Sequence, residues 1–147
     1  MPWSSDLSVH HEKLDRQHAD LFRLLEQAAA VFEGGGKAAL VQAVDAFVHA
    51  MLEHTATEEA LMEESLFPER GRHRAAHEVF LADLQQLSAE LQQNGPTPLV
   101  GDWLRLRVPE WLRFHVAVND ANLGAHLAQR PASGRGAPRP DARKLPS

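Results

Sequence analysis

Two pairs of polar side chains around a single chain break constrain the fold more than any other feature. His54 and Glu58 stand four residues apart, as do His73 and His77, and Phe67-Pro68 interrupts the chain between the pairs. Residues four apart lie on one face of an α-helix, one turn above each other. Each side of the break therefore presents two potential metal ligands on one helical face. One such pair is commonplace in helices. Two pairs flanking one helix–helix turn imply two neighbouring helices whose ligand faces meet near that turn.

The surrounding apolar pattern has the 3.6-residue period of amphipathic helices. A first helix is expected from Asp15, acting as N-cap, to the stop at Gly34-Gly35-Gly36. Its stripe is Leu21, Leu25, Ala28 and Phe32, with His18 one turn before Leu21. A second helix, from about Lys37 to about Glu64, places His54 and Glu58 in register with Leu40, Val44, Phe47, Met51, Leu61 and Met62. A third follows Pro68, carries His73, His77, Phe80, Leu84, Leu87 and Leu91, and ends at Asn94-Gly95-Pro96. A fourth covers roughly Leu99 to Leu127, with a broad apolar face that includes Leu104, Val108, Trp111, Leu112, Val116 and Leu123. Pro109 falls inside it and predicts a kink or a fresh start, because it lacks an N–H and crowds the preceding turn. Residues 1–14 read as an extended lead-in anchored by Trp3, Leu7 and Val9.

The chain has no cysteine, which excludes disulfides, thiolate ligands, iron–sulfur clusters and a thiol nucleophile. No stretch approaches the ~18 apolar residues of a membrane span, and the N-terminus lacks a signal-peptide pattern. A cytoplasmic protein is the expectation. From residue 129 onward five basic residues and one acid give a net +4, leaving −9 of the total −5 on residues 1–128. That acidic body argues against a nucleic-acid surface. The Pro/Gly/Arg-rich segment 129–147 has little to bury and reads as a disordered tail after a single domain over 1–128.

Four amphipathic helices with short turns form an all-α, up-down-up-down antiparallel four-helix bundle. In that topology His18 lies near the start of the first helix, and His54 and Glu58 near the end of the second. His73 and His77 lie near the start of the third, and His115 and Asp120 near the end of the fourth. All four positions fall at one end of the bundle, roughly 5–18 Å from it at ~1.5 Å per residue. Five imidazoles and two carboxylates buried together satisfy one another only partly, and unpaired groups would cost several kcal/mol. Two divalent ions, with the carboxylates bridging, would satisfy them all. Nitrogen-rich ligation suits iron, zinc, copper or manganese better than calcium or magnesium. Seven protein ligands on two ions would leave a coordination position open for a small molecule.

The combination of W-x3-L-x-V and L-D-x-Q-H at Trp3–His18, H-x3-E-E-x2-M at His54–Met62, F-P before H-x3-H at Phe67–His77, and W-L-x2-H-x4-D at Trp111–Asp120 resembles the hemerythrin domain. The likeness covers about residues 3–127, and the single-domain bacterial hemerythrins are the most similar group. The resemblance implies two non-haem irons with an oxo or hydroxo bridge. His73, His77 and His115 would hold one; His18 and His54 would hold the other, which keeps a vacant position; Glu58 and Asp120 would bridge them. It further implies reversible O2 binding for carriage, storage or local delivery, with sensing and NO or small anions as related possibilities, and no catalytic side chain. The competing expectations are a di-iron oxidase, peroxidase or NO-handling enzyme, and a metal-storage protein. No Glu has a His three residues later, which argues against the ferritin-like di-iron enzymes.

One implied pair conflicts with simple geometry. His115 and Asp120 are five apart, roughly 140° around an ideal helix, so Asn119 is the alternative unless a π-bulge intervenes. Departures from the family pattern are Thr55 for a usual Phe, Phe67 for a usual Tyr, and His10-His11 for a usual Gly-Ile. Thr55 would give a smaller, wetter pocket wall and faster oxidation of the site by bound O2. Asp15 and Gln17 are expected as cap and supporting groups, Glu59 as a solvated carboxylate, and His10, His11, His49 and His126 as surface or satisfied residues. Trp103 and Trp111 are expected in the core, and no protein partner is specified.

Overall fold

The computed structural model of the protein describes residues 3–129. Four helices account for nearly all of them: α1 (Glu12–Phe32), α2 (Gly36–Ser65), α3 (Arg70–Asn94) and α4 (98–129). A short 3₁₀ turn at Ser5–Leu7 precedes them, and there is no strand among the described residues. Short connections reverse the chain three times, giving the antiparallel bundle that the periodicity predicts. Most of the expected stripes are buried: Leu21, Leu25 and Ala28 from α1, Leu40, Val44, Phe47, Met51 and Met62 from α2, Phe80, Leu84, Leu87 and Leu91 from α3, and Leu104, Val108, Leu112, Val116 and Leu123 from α4, whereas Phe32 and Leu61 are only half-buried against them. No described helix is long and apolar enough to cross a membrane. The tail expected from residue 129 lies, beyond that residue, outside the described residues.

Two boundaries correct the expectations. Asp15 is not the cap of α1. The helix starts one turn earlier, where the His11 ring accepts a hydrogen bond from the Leu14 amide at 3.3 Å. Asp15 instead ties down the lead-in, accepting from Ser8 Oγ at 2.6 Å and from the Val9 amide at 2.9 Å. The turn into α1 puts His10 at φ 61°, a left-handed conformation that glycine adopts without strain. Val9 then packs so closely on Gly124 of α4 that a Cβ there would collide with the Val9 carbonyl.

Pro109 neither breaks nor restarts α4. Helical dihedrals run through every junction of the segment, and a π-helical stretch, Trp103–Arg107, precedes the proline. There the Val108 amide bonds back to the Trp103 carbonyl, one residue further than in an α-helix. The wider turn accommodates a ring that would crowd a regular one. A second π-helical stretch, His115–Asp120, follows.

Candidate metal centre

Each helix delivers its polar residues to one end of the bundle. His18 comes from α1, His54 and Glu58 from α2, His73 and His77 from α3, and His115 and Asp120 from α4. All seven are buried, with at most 2% of any residue exposed. Their inward atoms form two overlapping groups, each lying within 4.8 Å: Glu58, His73, His77, His115 and Asp120 in one, and His18, His54, Glu58 and Asp120 in the other. The structure therefore brings together all seven residues singled out from the sequence. The π-helical turn at His115–Asp120 explains how two residues five apart share a side, since a wider turn advances more residues per revolution. Asn119 is half-buried, whereas Asp120 is fully buried.

The two carboxylates divide their oxygens between the two sets of rings. Glu58 Oε1 lies 3.0 Å from His73 Nε2 and 3.1 Å from His77 Nε2, and Oε2 lies 3.3 Å from His54 Nε2. Asp120 Oδ1 lies 3.1 Å from both His73 Nε2 and His115 Nε2, and Oδ2 lies 2.8 Å from His18 Nε2 and 3.5 Å from His54 Nε2. Glu58 and Asp120 thus stand between a three-imidazole group and a two-imidazole group.

The outer ring nitrogens show what the inner ones are for. His54 Nδ1 donates to Gln17 Oε1 at 2.7 Å, and Gln17 Nε2 in turn donates to Thr57 Oγ1 at 3.1 Å. His77 Nδ1 donates to Glu59 Oε2 at 3.1 Å. A neutral imidazole that donates through Nδ1 has only a lone pair at Nε2. His77 Nε2 therefore turns a lone pair toward Glu58 Oε1 at 3.1 Å and His115 Nε2 at 3.1 Å. Lone pairs facing lone pairs in a buried site require a cation between them. His54 Nε2, Glu58 Oε2 and Asp120 Oδ1 are also buried without a hydrogen-bond partner. The donor set fits bound metal ions, which would lie against these orphaned atoms.

Protons are the only other cations available to these groups, and the electrostatics reflect that. Burial alone would lower the basicity of His54, but the Glu58 charge and the close Asp120 carboxylate outweigh it and push its pKa up to about 10. For His73, burial is likewise outweighed by the adjacent Asp120 and Glu58 carboxylates, and its pKa is pushed up to about 9. His18 is raised despite burial, chiefly through Asp120 and Glu58. Glu58 is held well below the usual carboxylate range although burial and the Asp120 charge oppose this, because His54 and His18 face it. Burial also opposes ionisation of Asp120, but the His115 charge and the surrounding ring hydrogen bonds hold its pKa well down.

Sequence reasoning missed Glu59. It was expected in solvent, yet its side chain is only 32% exposed and it is the acceptor for His77. The available signal was the second nitrogen of each candidate ligand, which needs a partner of its own. Gln17 meets its expected supporting role. His126 is satisfied, donating from Nε2 to the Ser65 carbonyl at 3.0 Å, while His10 and His49 are exposed. Trp111, half-buried rather than fully in the core, stacks on His115 at 4.5 Å and on Phe80 at 3.6 Å between ring centres. The Thr55 hydroxyl donates to the Leu52 carbonyl at 3.1 Å, so its polarity is spent within α2.

Residues 9–127 match the family model described as the hemerythrin HHE cation binding domain. The chain is 32% identical to a bacteriohemerythrin of Ralstonia nicotianae, over 90% of this chain and 93% of that one. It is 28% identical to a bacteriohemerythrin of Stenotrophomonas maltophilia, over 86% and 84% of the two chains. A myohemerythrin of Phascolopsis gouldii is 28% identical over 69% of this chain and 80% of its own. The fold superposes on a crystal structure of wild-type hemerythrin with a TM-score of 0.80 at 21% identity, covering 87% of this chain and 98% of the other. By the family model and by the extent of these likenesses, the chain belongs to the hemerythrin family.

Proposed function

We propose that this chain is a non-haem di-iron protein that binds O2 reversibly, serving as a carrier, a store or a local delivery protein. The observation that carries the reading is the division of the Glu58 and Asp120 oxygens between a three-imidazole and a two-imidazole group. On this reading His73, His77 and His115 would hold one iron, His18 and His54 would hold the other, and Glu58 and Asp120 would serve both. The two-imidazole side has fewer protein donors and supplies the open position. When bound, the irons would supply the electrons that hold O2.

The protein's own residues do the rest. The bundle core buries the seven donors and excludes water, which limits escape of charge to solvent. Gln17 and Glu59 accept from Nδ1 of His54 and His77, so that the Nε2 atoms are the ones left to face a metal. Trp111 fixes the ring plane of His115. Every imidazole in the cluster is committed to the centre, which supports binding over acid–base turnover. The test is gas uptake by Fe(II)-loaded protein in a closed cell with an oxygen electrode. Uptake of about one O2 per chain, recovered on degassing through repeated cycles, is expected from one open position. Steady O2 consumption with accumulating peroxide would replace the carrier reading with an enzymatic one.

A further inference from the structure

Gln17 supports His54, but an amide can meet an imidazole either way round. A metal-binding imidazole is neutral and carries one proton. With the Gln17 carbonyl oxygen toward the ring, that proton sits on Nδ1 and Nε2 keeps its lone pair. With the amide turned over, its NH2 would face Nδ1 and the proton would move to Nε2. There it would bond to Glu58 Oε2, which lies at 3.3 Å, and leave nothing for a metal. The outer end of Gln17 decides between the two. Gln17 Nε2 donates to Thr57 Oγ1 at 3.1 Å, from α1 to α2. The Thr57 hydroxyl has a single proton, and it goes to the Glu53 carbonyl one turn back at 3.0 Å. Only lone pairs remain on Oγ1 to face Gln17. They take the amide NH2 and leave its oxygen for His54 Nδ1, at 2.7 Å.

We propose that Thr57 is a positioning residue for the two-imidazole side of the cluster. It sets the direction of the Gln17 amide and so keeps Nε2 of His54 free for a metal ion. The three-imidazole side needs no such selection, because either oxygen of the Glu59 carboxylate can accept from His77 Nδ1. Thr57 and Gln17 are both half-buried, so no packing of the core holds the amide in place of this hydrogen bond. The role rests on the two-position reading of the metal centre and is independent of O2.

The experiment is an anaerobic titration of the metal-free full chain with Zn(II) against a competing chelator, followed also by nitrogen NMR of the histidine rings. The step that shifts His54 Nε2 identifies the two-imidazole position. Thr57→Val keeps the side-chain shape and removes the acceptor. It should weaken that step about three- to tenfold, less than direct loss of an outer partner, and leave the other step within about twofold. In the Zn(II)-loaded protein its His54 Nδ1–H should exchange with water at least about tenfold faster than in the parent. Thr57→Ser keeps the acceptor and should match the parent in both readouts. Gln17→Glu gives His54 a carboxylate that accepts from either oxygen, so adding Thr57→Val to it should change the step less than about twofold. Parent affinities and parent exchange in Thr57→Val overturn the role of Thr57 while leaving the two-position centre standing. So does a loss shared equally by both steps, or one of equal size with and without Gln17→Glu. A parent chain that takes up a single Zn(II) overturns both.

Discussion

Replacing Glu59 tests whether the candidate centre depends on a residue that touches none of the inward-facing atoms. In the structure Glu59 Oε2 accepts from His77 Nδ1 at 3.1 Å, and Oε1 lies 3.9 Å from Arg74 Nε. Glu59→Ala removes the acceptor, leaves the His77 N–H without a partner and frees the ring to take the other tautomer. Loss of such an outer partner lowers metal affinity about 10–100-fold, or about 1.4–2.7 kcal/mol. Glu59 is one-third exposed, so water replaces part of the lost hydrogen bond and the lower half of that range, about 10–30-fold, is expected. Glu59→Gln keeps an acceptor oxygen and should lose less than about tenfold. The assay is anaerobic titration of metal-free protein with Zn(II) and with Fe(II) against a competing chromophoric chelator, which resolves two binding steps. Glu59→Ala should weaken the step assigned to His73, His77 and His115. Gln17→Ala should weaken the other, because Gln17 supports His54. Two steps in Glu59→Ala with the parent affinities would refute the reasoning.

Loading with metal at pH 7.5 should release about two protons per chain, since His54 and His73 must give up protons that the carboxylates hold on them; a weakly buffered indicator dye measures this, and no release would contradict it. The same groups set the pH dependence of the metal-free fold. Histidines raised from 6.5 to about 9 and about 10 stabilise it fully below pH 6.5 and lose that contribution as pH rises through those values, so urea midpoints should fall between pH 6.5 and 10. The depressed carboxylates act in the opposite sense, and their contribution is lost as pH falls below the ordinary carboxylate range. Asp120→Asn leaves buried rings without their shared counter-charge and should cost the metal-free fold about 3 kcal/mol as well as metal loading, while Asn119→Ala should stay within about 0.5 kcal/mol; denaturant melts and metal content distinguish them. His10→Gly should stabilise the fold by about 0.5–1 kcal/mol by relieving the left-handed turn, read as a higher urea midpoint.

The helices were legible because their apolar residues recur with the period of the structure, and the centre was legible because its residues interrupt that period where core is required. His54 and Glu58 in the register of Phe47 and Met51 announce a buried polar site whatever their function. The topology then determines that His18 and Asp120, a hundred residues apart, end within 2.8 Å. Local choices were less legible. Asp15 and His11 are both competent caps, and only the docking of Ser8 and Val9 decides between them. Pro109 signals a disrupted turn, but periodicity does not say whether the helix breaks or widens, and here it widens. The π-helical turn at His115–Asp120 left one trace, a spacing of five where four was expected. Glu59, next in sequence to the buried Glu58 but about 100° around α2 from it, gives no periodicity signal that α3 lies on that side and brings His77 to it.

Seven side chains from four helices are proposed to hold two irons at which O2 binds and leaves. Its most direct test is metal content joined to an optical titration on one sample. Metal-free protein is loaded with Fe(II) without oxygen, exposed to air, then returned to anaerobic conditions. The expected result is about two irons per chain and a visible absorption that appears with O2 and disappears on its removal. Two zincs per chain with no optical response, or an iron form that changes once and does not return, would contradict it.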